Sequence, residues 1–240
     1  MDFPTVSAFD YQLGSPYTPS SGVELVVRDR TASPADGLYS ICYVNAFQTQ
    51  PGERDQWPDE VLLTADGAPV FDADWPDEIL LYTSTSSKRE AILDTASSWI
   101  QGCADAGFEA VEFDNLDSLT RSHDVLTVDD NLALARALVD IAHAAGLAAG
   151  QKNSAEYTAR LKSEAGLDFA IAEECAAYNE CTAYTDAYGD AVIDIEYADT
   201  LPRSFAEMCE DTASPRAMIL RDRDLVTPDD DGYVFRTCAH

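Results

Sequence analysis

AVEFDNLDSLTRSHDVLTVDDNLALARALVDIAHAAGLAAGQ, residues 110–151, contains a complete fold signal. It opens on a short apolar, β-forming run that ends in an acid, Ala110–Asp114, and this reads as a strand. From Val128 to Ala145 apolar residues recur at i, i+3 and i+4, the period of a helix with one buried face. Gly146 stands where that helix should stop, and Ala148–Gln151 is apolar again. A strand, a helix and a second strand in this order form a parallel βα unit, because only a long crossover can return the chain in the same direction.

The alternation continues both ways. Further strands are predicted at Phe9–Leu13, Glu24–Arg28, Tyr39–Val44, Phe169–Glu173, Val192–Tyr197 and Met218–Arg221, making eight. Further helices are predicted at Lys88–Ala104, Ser154–Glu164 and Pro202–Glu210, with Gly107 and Gly166 just beyond two of the helical patterns. Eight such units close an α/β single-domain (β/α)8 TIM barrel over residues 1–240, and 240 residues is the usual size of one. One connection is irregular. The stretch from Val44 to Ala110 is too long for a loop plus a helix, so a long loop insertion is expected after strand 3. It carries Trp57-Pro58-Asp59-Glu60 and Asp72-Ala73-Asp74-Trp75-Pro76-Asp77-Glu78, and barrel loops of this length build the rim of a site.

Composition narrows the function. Forty-six per cent hydrophobic residues supply a large core. Forty-four acidic against fifteen basic residues give a net charge of −29, and Lys88, Lys152 and Lys162 are the only lysines. Such a field repels nucleic acid and anionic lipid and attracts a polycation, although acidity also serves solubility alone. No apolar run is long enough to span a bilayer. Met1-Asp2-Phe3-Pro4 lacks the basic start and apolar stretch of a signal peptide, so a secreted protein whose leader has been removed is expected. Six cysteines without CxxC or Cys/His ligand spacing favour three disulfides over zinc. Cys175 and Cys181 are close enough to close a small loop, and Cys209 and Cys238 can tie the C-terminal tail to the last helix.

In such a barrel, chemistry sits at the C-terminal ends of the strands. Those ends carry Asp10 and Gln12, Arg28 and Asp29, Tyr43 and Asn45, Glu112 to Asp117, Gln151-Lys152-Asn153, Glu173-Glu174, Asp194 and Glu196, and Arg221 to Asp224. A ring of carboxylates with one lysine suits sugar chemistry. Glycosidic cleavage needs one carboxylic acid to protonate the leaving oxygen and a second carboxylate as nucleophile or base. Tyr11, Tyr43, Trp75 and Tyr197 offer flat faces for sugar rings. His123, His143 and His240 have no ligand spacing, Asp72, Asp74 and Asp77 do not follow the EF-hand pattern, and no phosphate-binding glycine loop or GxSxG elbow is present. Neither a metal nor a cofactor is expected.

Six segments in order resemble one family: Phe9–Gly14, Ile41–Gln48, Val111–Ser118, Gly150–Asn153, Ala172–Cys175 and Leu220–Leu225. The chain is similar to the endo-α-1,4-polygalactosaminidases of glycoside hydrolase family 114, although Phe113 stands where many relatives have proline. The resemblance implies endo-acting cleavage of α-1,4-linked galactosamine and N-acetylgalactosamine polymer, a component of fungal and bacterial exopolysaccharide, without a metal. It puts the paired acids on the fourth and sixth strands, hence Asp114 as nucleophile and Glu173 as general acid/base in a retaining mechanism. Glu174 is the rival to Glu173, because a one-residue slip swaps the inward face of a strand. Asp10, Tyr43, Asp74, Trp75, Lys152 and Glu196 are the expected sugar contacts, with Lys152 holding the nucleophile ionised. Glu112 and Asp194 are read as interior groups in need of partners. A monomer acting on a cationic amino-sugar polysaccharide is expected. A non-catalytic barrel binding the same polymer and a glycosidase of different linkage specificity are the alternatives.

Overall fold

A computed structural model describes residues 1–238, so His240 lies outside the described residues. Eight parallel strands form the barrel: β1 (Phe9–Gln12), β2 (Leu25–Asp29), β3 (Tyr39–Asn45), β4 (Ala110–Asp114), β5 (Ala148–Lys152), β6 (Phe169–Glu173), β7 (Val192–Tyr197) and β8 (Ala217–Arg221). They stand side by side in chain order. A ninth strand, β9 (Phe235–Thr237), runs antiparallel to β8. At the seam, the buried Arg221 guanidinium on β8 donates to the Tyr11 carbonyl and to Asp10 Oδ1 on β1.

Every expected strand is present, within a residue or two of its expected bounds. The helices match less evenly. α1 (Ser86–Ala106) and α2 (Val128–Ala144) form as the apolar period requires. Thr85 caps the first, and a Thr127/Asp130 capping box starts the second, each satisfying backbone N–H groups that a helix leaves open. The predicted Ser154–Glu164 helix is broken into a 3-10 turn, α3 (Thr158–Arg160) and a π-helical turn over Leu161–Ala165. Pro202–Glu210 shrinks to α6 (Phe205–Cys209), because Ser204 takes the capping position. α4 (Cys175–Tyr178) and α5 (Cys181–Tyr188), absent from the expectation, cover β6 and β7. No helix follows β1 or β2.

Side chains alternate between two cores, as strand geometry demands. Phe9, Leu25, Ile41, Phe169, Ile193 and Ile219 fill the barrel interior, while Val44, Val111, Phe113, Ala170 and Met218 pack outward. Phe3 stacks on Phe169 with ring centroids 4.2 Å apart, closing the lower end. The insertion after β3 folds as a small β-bridged cap whose Leu63, Val70 and Leu80 pack with Leu126 from the loop after β4. Disulfides join Cys42 to Cys103, Cys175 to Cys181 and Cys209 to Cys238. The first ties β3 to α1 across the insertion, and the other two are the pairs the spacing suggests.

Gly150 exposes how tight the interior is. A Cβ there would lie 2.3 Å from the Phe169 ring, whereas one at Gly102, in α1, would meet nothing within 4 Å. Gly150→Ala is therefore expected to lose about 1–3 kcal/mol in urea denaturation. Gly102→Ala should gain about 0.5–1 kcal/mol from helix propensity. Equal effects at the two positions would contradict this packing.

Candidate active site

Alternation along each strand decides which end residues look into the barrel. Ala110, Glu112 and Asp114 share the inner face of β4, as do Ala148, Gly150 and Lys152 on β5 and Phe169, Ile171 and Glu173 on β6. Tyr11, Tyr43 and Tyr197 stand on the inner faces of β1, β3 and β7 near their C-terminal ends. Of these, Asp114, Lys152, Glu173 and the three tyrosines meet at the floor of a cleft of about 810 Å³ at the C-terminal end of the barrel.

Lys152 is the centre of the cluster. Its Nζ lies 3.4 Å from Glu173 Oε2, 3.4 Å from Glu112 Oε1 and 3.9 Å from Asp114 Oδ2, and it donates to the Tyr11 hydroxyl at 2.8 Å. Burial would drive the proton off this lysine, but the three surrounding carboxylates hold its pKa well above the ordinary value. The ammonium is thus shared between Asp114 and Glu173 and lies nearer the latter, where the sequence suggested service to Asp114 alone.

Each carboxylate is held by its own set of donors. Tyr43 donates to Asp114 Oδ2 at 2.7 Å, and the Asn115 backbone N–H donates to Oδ1 at 2.7 Å. Asn153 Nδ2 donates to Glu173 Oε2 at 2.8 Å, Asn153 Oδ1 accepts from the Glu173 N–H, and Tyr197 donates to Oε1. Burial pushes the Glu173 carboxyl up, but Lys152 and these donors hold it below the ordinary glutamate value. The residues that follow the three strand ends are all left-handed: Asn115 (φ 61°), Asn153 (φ 50°) and Glu174 (φ 59°). Asparagine visits that region readily, which suits the first two positions. Glu174 is held there with its carboxylate on Arg223, at 3.0 Å, and on Thr200. Glu173 consequently faces the barrel axis while Glu174 lies at the rim.

Tyr43, Asp74, Trp75 and Lys152 all line the cleft, and Trp75 is 61% exposed on the cap. Glu78, from the same loop, also lines it, and burial together with Asp114 pushes its carboxyl up to about 7 despite a hydrogen bond from Gln48. Nothing in the sequence separated Glu78 from its acidic neighbours, since its exposure depends on the fold of the cap. Two expected sugar contacts do not reach the cleft. Asp10 faces the seam and is taken by Gln12, Tyr17 and Arg221. Glu196 faces outward, beside Asp194, and accepts from the Ala176 and Ala177 N–H groups. Both lie one residue from the inner position of their strand, so the two-residue period would have redirected the assignment to Tyr11 and Tyr197. Cys175, Cys181 and Asp194 come together, but both sulfurs are spent on the disulfide.

The family model for glycoside-hydrolase family GH114 matches residues 1–240. No curated protein sequence matches significantly. Among solved structures, Ega3 from Aspergillus fumigatus in complex with galactosamine superposes with a TM-score of 0.77 at 21% identity, over 98% of this chain and 96% of that one. The glycoside hydrolase domain of PelA from Pseudomonas aeruginosa gives 0.59 at 15% identity, over 97% and 98%. A phosphonomutase-like protein from Burkholderia cenocepacia gives 0.51 at 13%, over 89% and 86%, a likeness of fold alone.

Removing the central cation tests the cluster. Lys152→Met is expected to cost about 3–5 kcal/mol at neutral pH, because it leaves buried carboxylates without a counter-charge. It should also raise the Glu173 titration seen by carboxyl carbon NMR. The Glu173 contribution to stability is present above the ordinary value of 4.5 and is lost as the pH falls through its lower folded value, so the penalty should shrink in acid. A variant as stable as the wild type at pH 7 would rule out charged carboxylates around the lysine.

Proposed function

Because the chain belongs to glycoside-hydrolase family GH114, we propose that it cleaves an amino-sugar polymer internally, at α-1,4 linkages of galactosamine, with Asp114 and Glu173 as the reacting pair. One observation carries the reading: two carboxylates from non-adjacent strands share a single ammonium at the floor of an open cleft. Asp114 Oδ2 and Glu173 Oε2 can be no farther apart than the sum of 3.9 Å and 3.4 Å. That bound admits the ~5–5.5 Å separation of retaining enzymes, which supports the retaining reading. The galactosamine bound by Ega3 makes amino sugars the natural substrate class.

In the proposed reaction Asp114 attacks the anomeric carbon while Glu173 protonates the leaving oxygen. Glu173 then takes a proton from the water that releases the sugar. Lys152 sets its positive charge 3.9 Å from the attacking carboxylate of Asp114. It also makes protonated Glu173 a strong acid, at the cost of a small protonated fraction. Trp75 gives a flat surface for a ring, and Asp74 a counter-charge for an amine. Three disulfides suit an oxidising, extracellular setting.

Asp114→Asn and Glu173→Gln are each expected to lower release of reducing ends from galactosamine polymer by at least about a hundred-fold. Full activity in either would remove that residue from the pair, and a wild type that binds the polymer without cutting it would make this a binding barrel. Since the Glu173 carboxyl lies below its ordinary value, kcat/KM should be greatest in acid and fall as the pH rises past it. An optimum at or above neutrality would move proton donation to another group. With a charge of −29, kcat/KM toward deacetylated polymer should also fall as salt shortens the Debye length from about 30 to about 8 Å.

A further inference from the structure

Beneath the reacting pair lies a third carboxyl that the proposed chemistry does not use. Glu112 precedes Asp114 by two residues on β4, so it points to the same inner face one layer deeper, and it is fully buried. Its Oε1 accepts from the Tyr11 hydroxyl at 2.8 Å and lies 3.4 Å from Lys152 Nζ. Its Oε2 is buried without any partner. An ionised carboxylate with one bare buried oxygen is costly, whereas a carboxylic acid carrying its proton there is not charged at all. The groups around it are Tyr11 from β1, Tyr43 from β3, Asp114 on its own strand, Lys152 from β5, Glu173 from β6 and Tyr197 from β7. Lys152 is the one cation among them, and a single ammonium cannot neutralise three anions.

We propose that Glu112 is a positioning residue that stays neutral by holding a proton, which leaves the charge of Lys152 to Asp114 and Glu173. Burial first, with Asp114 adding, pushes the Glu112 carboxyl up to about 7 against the opposing pull of Lys152 and Tyr11. Above that pH it ionises and competes for the ammonium. It then adds negative charge beside Glu173 and strengthens the hold of Glu173 on a proton. The consequence for turnover rests on the hydrolase reading, but the proton on Glu112 does not.

Infrared difference spectroscopy across pH 5 to 9 separates the two. In a Glu78→Gln background, which removes the other carboxyl near 7, a carboxylic C=O band with its midpoint near 7 is expected, and adding Glu112→Gln should abolish it. Glu173→Gln should lower the Glu112 midpoint by about one pH unit, since Lys152 then has one anion fewer to serve. In kinetics on galactosamine polymer, the break near pH 7 in the wild-type profile of kcat/KM should vanish in Glu112→Gln. A band that survives Glu112→Gln in the Glu78→Gln background, a midpoint unmoved in Glu173→Gln, or a break that persists in Glu112→Gln overturns the proposal. If Glu112→Gln does not fold, the Glu173→Gln shift still decides it. An inactive wild type would sink the hydrolase reading and leave the spectroscopic test of Glu112 standing.

Discussion

Everything at the floor of the cleft depends on one buried cation. Lys152 has 2% of its surface exposed, which would ordinarily strip its proton, and it stays charged because acids converge on it from β4 and β6. The dependence is mutual. Without the ammonium, Asp114 and Glu173 would be like charges crowded into a medium that screens them poorly. Tyr11, Tyr43 and Tyr197 complete the arrangement by donating to Glu112, Asp114 and Glu173 respectively, so that each acid has a phenol of its own.

The strand ends show how backbone serves this cluster. Asn115, Asn153 and Glu174 turn left-handed directly after Asp114, Lys152 and Glu173, which frees the preceding side chain to project along the barrel axis. Asn153 does two things at once: its amide oxygen accepts from the Glu173 backbone and its amide nitrogen donates to the Glu173 carboxylate. Position and charge of that acid are thereby set by a neighbour on the adjacent strand. Behind it, the Cys175–Cys181 disulfide holds the first turn of the following segment.

Much of this was legible in the residues. Short apolar runs ending in acids, separated by segments of helical period, predicted the eight parallel strands and the insertion after the third. The same strand ends drew attention to Asp114, Lys152 and Glu173. The errors came from facing rather than from placement. Asp10 and Glu196 sit at strand ends but one residue out of phase with the interior, and a chain with 44 acids offers a carboxylate at almost every such position. Glu78 was hidden because its role depends on how a loop without periodicity folds. The helices α4 and α5 were missed because Cys, Thr and Tyr are weak helix formers, and burial against β6 and β7 decides their conformation.

The cap is fastened to the end of β4 by Arg121, whose guanidinium lies 2.7 Å from the buried Asp72 of the insertion and donates to the Asn115 side chain at 3.0 Å. Asp72 in turn receives the N–H groups of Asp74 and Trp75. One wall of the groove is therefore mechanically continuous with the loop that follows Asp114. A graft that swaps in a foreign wall lacking an anion at that joint would leave Arg121 with Asp117 as its one remaining carboxylate among the described residues and free it to shift. The disturbance would travel two contacts to the turn that follows Asp114, so the shape of this wall and the setting of Asp114 cannot be re-engineered independently.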